Sequence, residues 1–245
     1  MATKFITNAE LLREIHNSKK TFCSFLEPRY GDYDQIIEDL SEITDELIEE
    51  IRLRKSKPRG KAAVPIETIK PEDVVFRLMT FDHIPLEPGR RRRTGRMDEE
   101  YTKLPFAPFK HYILRDGELV EVCRSHWEGG FQNGCFNPNR GRINNRLGQY
   151  FLLMVERYGR RGNFRGYSYL EELKGQALIQ LSAVGLQFNE AKSQNGFAYV
   201  TTVMKNSFVK VLNTEKRQQK IRDDLIEMSG RTASNTRQNE NEGKF

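Results

Sequence analysis

The side chains best suited to bind a ligand lie in one stretch, residues 195–217. Apolar or small residues recur there at three- and four-residue steps, which predicts a helix with one buried stripe: Val200, Val203, Met204, Ser207 and Val211. The other side would carry a ring, a hydroxyl, amides and cations: Tyr199, Thr202, Asn206, Asn213, Lys205, Lys210, Lys216 and Arg217. Such chemistry suits a polyanion whose bases are also contacted. A solvated basic helix is the plainer interpretation.

A second basic stretch contains four consecutive arginines, Arg90, Arg91, Arg92 and Arg93, between Pro and Gly residues. This composition cannot bury apolar surface, so a loop is predicted. As a binding element the loop would contact phosphates without reading a sequence. A solvated loop with no ligand is the alternative.

Cysteine and histidine residues raise the question of a metal site, with His111, Cys123, His126 and Cys135 as candidate ligands. Their spacing lacks the paired Cys-x-x-Cys or closely spaced His-His pattern of common zinc sites. We therefore predict no metal. Three cysteines in 245 residues also argue against a disulfide framework and favour a reducing compartment.

An enzyme is not favoured by the sequence. The chain has no P-loop, no Gly-x-Ser-x-Gly elbow and no arguable Ser-His-Asp arrangement among its four histidines. A metal-dependent nuclease would have to use Asp82, His83, His111 and His126. A binding protein without a cofactor is the main hypothesis.

Composition is consistent with a folded chain that binds a polyanion. Hydrophobic residues make up 37% and charged residues 30%, with a net charge of +6 and a pI of about 9.2. No run approaches the roughly 18 apolar residues of a membrane-spanning helix. The N-terminus lacks a signal-peptide pattern.

The periodicity predicts a mainly α fold. Helices are expected at residues 7–20, at 34–54 with an acidic face, at 146–158, at 170–188 and at 195–217. In the helix at 170–188, five residues are expected to point mostly inward: Leu173, Ala177, Ile179, Leu181 and Val184. A hairpin is expected around the Asp116-Gly117 turn. Residues 55–65 form a predicted basic linker, and the polar residues 229–245 a disordered tail.

Several motifs resemble region 2 of bacterial sigma factors. They are NFRGY at 163–167, VGLQFNEAKSQNGFAYVTTVMKNSF at 184–208 and VLNTEKR at 211–217. The chain is most similar to the late-transcription sigma factors of T-even-type bacteriophages, whose start NAELLREI at 8–15 also resembles. CRSHW at 123–127 and the tail SGRTASNTRQNENE at 229–242 resemble the versions carried by phages of cyanobacteria. The resemblance extends over roughly 110 residues.

The resemblance implies a domain organisation. A sigma-region-2-like helical domain would span residues 142–228, and residues 1–23 would supply its N-terminal helix. Residues 24–141 would be an inserted α+β segment without a counterpart in the shorter T-even proteins. Nothing after Gly230 resembles the helix-turn-helix that reads a −35 element, and the tail lacks the apolar cluster with which the T-even proteins bind the sliding clamp.

The implied function is promoter recognition. The protein would bind the host core RNA polymerase in the cytoplasm of an infected bacterium and direct it to late promoters with an A/T-rich −10 element. A phage coactivator and the sliding clamp are further candidate partners. The alternative is a non-specific basic nucleic-acid-binding or packaging protein.

Site residues follow from the same resemblance. Glu171, Glu172 and Gln176 correspond to the face that docks on the clamp coiled coil of the largest polymerase subunit. Phe197 and Tyr199 match aromatic positions, and Tyr199 would stack on an unpaired base of the non-template strand. Primary sigma factors carry a tryptophan pair where this chain has Thr202 and Val203, so a weaker melting wedge is expected.

Overall fold

The computed structural model describes residues 5–57, 63–85, 104–164, 166–235 and 237–238. Five α-helices lie in these ranges: α1 Asn8–Lys20, α2 Asp45–Ser56, α3 Asn145–Gly159, α4 Leu170–Val184 and α5 Gly196–Met228. The strands are β1 Cys23–Phe25, β2 Gln35–Ile37, β3 Phe76–Met79, β4 Phe109–Arg115, β5 Glu118–Ser125, β6 Trp127–Glu128 and β7 Cys135–Phe136. The predicted mainly α fold is therefore only part of the architecture, because a mixed sheet accompanies the helices.

The chain divides into two compact units. The sheet unit comprises Met1–Gly148 and Leu186–Gly196, and the helical unit comprises Gln149–Gly185 and Phe197–Phe245. This division differs from the predicted one. Helix α1 belongs to the sheet unit rather than to the helical domain. The sheet unit also includes Leu186–Gly196, the segment that follows α4 in the sequence.

The sheet has five strands in the order β1-β5-β4-β3-β2. Strand β2 runs parallel to β3, and the other neighbours are antiparallel. The β4–β5 hairpin is confirmed, since Asp116 and Gly117 have φ values of 52° and 81°. These left-handed conformations are what a two-residue type I′ turn requires.

The predicted helix over residues 34–54 is wrong in its first half. Residues 35–37 form β2, and α2 begins only after Thr44, whose hydroxyl accepts the N–H of Leu47 at 3.3 Å. The Asp34 carboxylate accepts the N–H of Val75 at 3.0 Å and so fixes the entry into the parallel pair. The adjacent Ile36 and Ile37 fit a strand as well as a helix, because β-branched residues pack well on a pleated surface.

Both faces of the sheet are covered by helices. On one face α2 packs through Ile48 and Ile51 against Phe76 of β3. On the other face His16 of α1 contacts the side chain of Arg77, the residue that follows Phe76. Successive side chains of a strand point to opposite faces, so this pair of contacts places α1 and α2 on opposite sides. The predicted α1 is confirmed and begins with a capping box between Thr7 and Glu10.

The helical unit is built around buried stripes on its three helices. The predicted buried stripe of α5 is confirmed for Val200, Met204, Ser207 and Val211, whereas Val203 is only half-buried and Phe208 is buried in addition. Helix α3 buries five residues at helical spacing: Tyr150, Phe151, Met154, Val155 and Tyr158. Helix α4 buries Leu173, Ala177 and Leu181. Ile179 was expected inward but is 63% exposed. It lies about 120° from Leu173 at roughly 100° per residue, outside that stripe.

Helix α5 continues without a break to Met228, beyond the predicted end at residue 217. Gly230, with φ 75°, ends it, and Arg231 donates its N–H to the carbonyl of Ile226 at 3.1 Å. The described part of the predicted disordered tail folds back on the helix. Ser234 donates its N–H and its hydroxyl to the buried carboxylate of Asp223, at 3.1 and 2.8 Å.

Among the described residues, the helices are all too short or too polar to cross a membrane.

Candidate nucleic-acid interface

One line of exposed polar side chains runs along α5. At roughly 100° per residue, Thr202, Asn206, Lys210, Asn213 and Arg217 lie within about 40° of a common line. All five are exposed. The line is about 22 Å long at roughly 1.5 Å per residue. We call these five residues the α5 stripe; the structure brings together here five of the nine predicted DNA contacts.

A shallow groove of about 500 Å³ lies on this part of α5. Its lining includes Asn206, Lys210, Asn213 and Arg217 of the α5 stripe together with the half-exposed Val209. Amides can donate to and accept from base edges, and the two cations can contact phosphates. The groove therefore combines amides, which are able to hydrogen-bond to base edges, with cations, which are able to bind phosphates.

The charge on this helix is almost entirely positive. Between residues 197 and 222 the only acid is Glu215, against six basic residues: Lys205, Lys210, Lys216, Arg217, Lys220 and Arg222. Within the described ranges none of the six has a carboxylate in ion-pair distance, whereas Lys174 of α4 binds both Glu156 and Glu171. Uncompensated cations on one helix attract polyanions.

Two of these cations flank the α5 stripe. Lys205 and Lys216 are exposed and lie about 100° and 80° from its line, on the same side. Thr202, by contrast, is partly engaged, because its hydroxyl donates to the carbonyl of Ala198 at 2.8 Å. The hydroxyl oxygen of Thr202 can still accept a hydrogen bond.

The two predicted aromatic contacts are placed differently. Tyr199 lies near the line of the α5 stripe, but its ring is half-buried and its hydroxyl donates to the carbonyl of Val184 at 2.6 Å. Burial raises the pKa of this hydroxyl. Phe197 is half-buried and lies about 180° from Asn206 around the helix. The structure therefore does not bring Phe197 together with the stripe.

Helix α4 carries the predicted polymerase-binding residues. The Glu171 side chain is 83% exposed and binds Lys174 at 2.8 Å. Glu172 is exposed and Gln176 is half-buried. Glu172, Gln176 and the exposed Ile179 are spaced by four and three residues, so they share one face of the helix. Sequence reasoning missed Ile179, although its place outside the Leu173–Ala177–Leu181 stripe could have identified it.

The other candidate sites are dispersed. Arg90, Arg91, Arg92 and Arg93 lie outside the described residues. His83 and His126 both contact Ser125, at 3.0 Å through its carbonyl and 3.2 Å through its hydroxyl. Cys123 is buried while Cys135 is exposed. In the described ranges no three His, Cys, Asp or Glu side chains are arranged to hold a metal.

A buried arginine in the sheet unit was not predicted. Arg77 is fully buried between the rings of Tyr33 and Phe109, with its guanidinium carbon 3.8 Å from each ring centroid. It donates from Nε to His111 Nε2 at 3.0 Å and pairs through Nη2 with His16 Nδ1 at 3.2 Å. An arginine inside the apolar run VVFRLM was the available signal.

Both histidine partners of this arginine are held neutral. Burial lowers the pKa of His111 well below its usual value, and the charge of Arg77 lowers it further. Burial also lowers the pKa of His16, which contacts Asp32 through Nε2 at 3.1 Å. A neutral imidazole accepts through one nitrogen and donates through the other, so each ring can link Arg77 to an acceptor behind it.

No protein-family model matches this chain, and no curated protein or solved structure shows significant similarity to it.

Proposed function

We propose that this protein is a phage-type sigma factor that binds the host core RNA polymerase and directs it to late promoters through a −10 element. The α5 stripe is the proposed promoter-reading surface, and the exposed face of α4 is the proposed polymerase contact. The proposed fold of the helical unit is that of sigma region 2. The observation that carries the proposal is the presence, in one unit, of two exposed helix faces with opposite chemistry.

The first support is the composition of α5. Two of its asparagines and two of its cations, Lys210 and Arg217, occupy one line, and these cations have no acidic partners among the described residues. A helix that only had to be soluble would usually mix Glu with Lys. Amide side chains on the same line would contact bases, and the cations would position the helix on the phosphates.

The second support is the exposed face of α4. Glu172, Gln176 and Ile179 place a carboxylate, an amide and an apolar side chain in a row. Ile179 is 63% exposed at the end of this row, and a protein partner that covered it would gain the free energy of burying its apolar surface. The carboxylate would complement a basic partner surface.

Tyr199 has a defined role in this proposal. Its hydroxyl is held by the Val184 carbonyl, so stacking on a flipped base requires this 2.6 Å hydrogen bond to break or the ring to stack along its exposed edge. With Thr202 and Val203 next to it instead of a tryptophan pair, the surface would recognise DNA that opens easily. An A/T-rich element meets that requirement.

Promoter-dependent transcription tests the proposal. Purified protein and bacterial core polymerase are mixed with a template that has a TATAAATA element and no −35 element, and run-off RNA is measured. We expect RNA from this template and none from one with the element scrambled. Equal initiation on both templates would favour a non-specific nucleic-acid-binding protein.

A pair of variants separates the two faces. Glu172→Lys combined with Gln176→Ala should weaken binding to core polymerase more than tenfold, while duplex DNA is bound as before. Glu50→Lys, on the exposed side of α2, makes the same charge change elsewhere. It should leave the binding of core polymerase and the binding of duplex DNA unchanged. If the α4 variant bound core polymerase normally, the assignment of this face would be wrong.

A further inference from the structure

The free edge of the five-stranded sheet is a feature that promoter binding does not use. Strand β2 is the last strand in the order and pairs only with β3 within the described part of the chain. An edge strand presents N–H and C=O groups that no neighbouring strand satisfies. An added strand can pair with such groups.

A cleft of about 810 Å³ lies beside this edge. All seven residues 32–38 line it, together with His16 of α1, Arg54 of α2 and Met79 of β3. Because α1 and α2 cover opposite faces of the sheet, a cleft lined by both must pass the edge rather than lie over one face. Its volume is within the range of about 300–1,000 Å³ typical of ligand sites.

We propose that this cleft binds an extended peptide segment, which pairs with β2 as an additional strand and places one acidic side chain on each face of the sheet, near Arg13 and near Arg54. Main-chain hydrogen bonds to β2 would supply the pairing, and the charged side chains would supply selectivity.

Charge in the cleft favours an acidic peptide. Three of its carboxylates each have a lysine within 3.0 Å: Asp32 with Lys20, Asp34 with Lys55 and Glu190 with Lys19. Of the lining acids in the described residues, this leaves only Glu38 without a cation.

The two lining arginines are not neutralised in this way. Arg13 has a 57% exposed side chain and, among the described residues, only a 3.7 Å contact with Glu14, which does not line the cleft. Arg54 donates to the carbonyl oxygen of Asp34 at 3.0 Å and not to a carboxylate. Arg13 and Arg54 together outweigh Glu38, so the cleft would attract an anionic side chain.

The walls of the cleft are already positioned. Tyr33 is stacked on Arg77, and His16 is held between Arg77 and Asp32. Ile36 and Met79 add apolar surface that the other side chains of a peptide could cover. A preformed wall lowers the entropy cost of binding.

Nuclear magnetic resonance of the full-length, ¹⁵N-labelled protein tests the proposal. The probe is an acetylated and amidated hexapeptide, Val-Glu-Glu-Val-Glu-Glu, whose extended form places glutamates on both faces of the sheet. We expect saturable shifts of the amide signals of residues 32–38. A valine–lysine hexapeptide should bind at least about fivefold more weakly, since two exposed charge contacts would be reversed. A valine–glutamate peptide N-methylated at every amide should not bind, because neither of its edges can then donate to β2.

Charge-reversing variants provide the matched control. Arg13→Glu combined with Arg54→Glu should reverse the preference, so that the lysine peptide binds more tightly than the glutamate peptide. Arg231→Glu, an exposed position in the helical unit, should leave the preference unchanged. The three peptides on the unmodified protein remain informative if the double variant does not fold.

Three results would overturn the proposal. One is the absence of saturable shifts at residues 32–38 with millimolar peptide. Another is equal binding of the N-methylated peptide, which would indicate a side-chain pocket without strand pairing. The third is a shift of the same amides by a six-nucleotide DNA strand but not by the peptide, which would indicate a site for nucleic acid.

Discussion

Replacing Lys210 and Arg217 of α5 together by alanine tests the nucleic-acid interface quantitatively. Both residues belong to the α5 stripe and have no acidic partner within the described ranges. Their side chains are exposed, so the free energy of unfolding should change by no more than about 0.5 kcal/mol each. Any loss of DNA binding would then report on the contact and not on the fold.

The magnitude follows from the number of cations on this side of α5. Five of the six lie within about 100° of the stripe's line: Lys205, Lys210, Lys216, Arg217 and Lys220. Each phosphate contact contributes about 0.9 to the slope of log K against log salt, so five contacts give a slope of about −4.5 and three give about −2.7. Raising salt from about 50 to 200 mM would therefore weaken binding by roughly 500-fold for the unmodified protein and 40-fold for the variant.

Fluorescence anisotropy with a labelled 20-base-pair duplex at several KCl concentrations measures both slopes. Arg222→Ala is the matched control, because Arg222 is exposed on the same helix but lies about 160° from Asn206. It should leave the slope unchanged. A double variant with the slope of the unmodified protein, or a control with an equal decrease, would refute the assignment of this face.

Three further predictions concern stability. Gly185→Ala places a methyl carbon 2.7 Å from the ring of Phe151, so it should lower the free energy of unfolding by about 1–3 kcal/mol in urea titrations. Gly175→Ala is the control: its methyl carbon would have no atom within 4 Å, and it should not lower the free energy of unfolding. Tyr199→Phe should cost about 1 kcal/mol in the same assay, because it leaves the ring and removes one hydrogen bond. Burial lowers the pKa of all four histidines: His16, His83, His111 and His126. The unfolded chain therefore binds more protons than the folded chain below about pH 6.5, and the free energy of unfolding should fall from there to about pH 4, by up to about 1.4 kcal/mol per pH unit for each histidine. Equal urea midpoints at pH 7.5 and 5.0 would contradict this prediction.

The sequence predicts the helical unit best, because its signals are local. The buried residues of α3 and α5 recur at helical spacing over many turns, and the structure buries most of those expected. The Asp116-Gly117 turn is equally local, since two left-handed residues determine the hairpin. The α5 stripe follows from the same periodicity that defines its buried side.

The sheet unit was harder to predict, because its elements depend on partners far away in sequence. Residues 35–37 become a strand through pairing with 76–78, about forty residues later. Arg77 can be buried because rings and imidazoles from three other segments surround it. Helical periodicity around Ile36 contains no information on these contacts, so the sequence predicts a single long helix there.

The segment Leu186–Gly196 gives the chain an unusual order of assembly. Lys19 of α1 is buried, and its ammonium is held by the carbonyl of Phe188 at 2.6 Å and by Glu190 at 2.7 Å. A ribosome must therefore translate through α4 before this ammonium can be neutralised. Any truncation before residue 186 would leave Lys19 without these acceptors, at the cost of an unpaired buried charge. The polypeptide crosses between the units three times, so neither unit can be excised as one uninterrupted piece of gene.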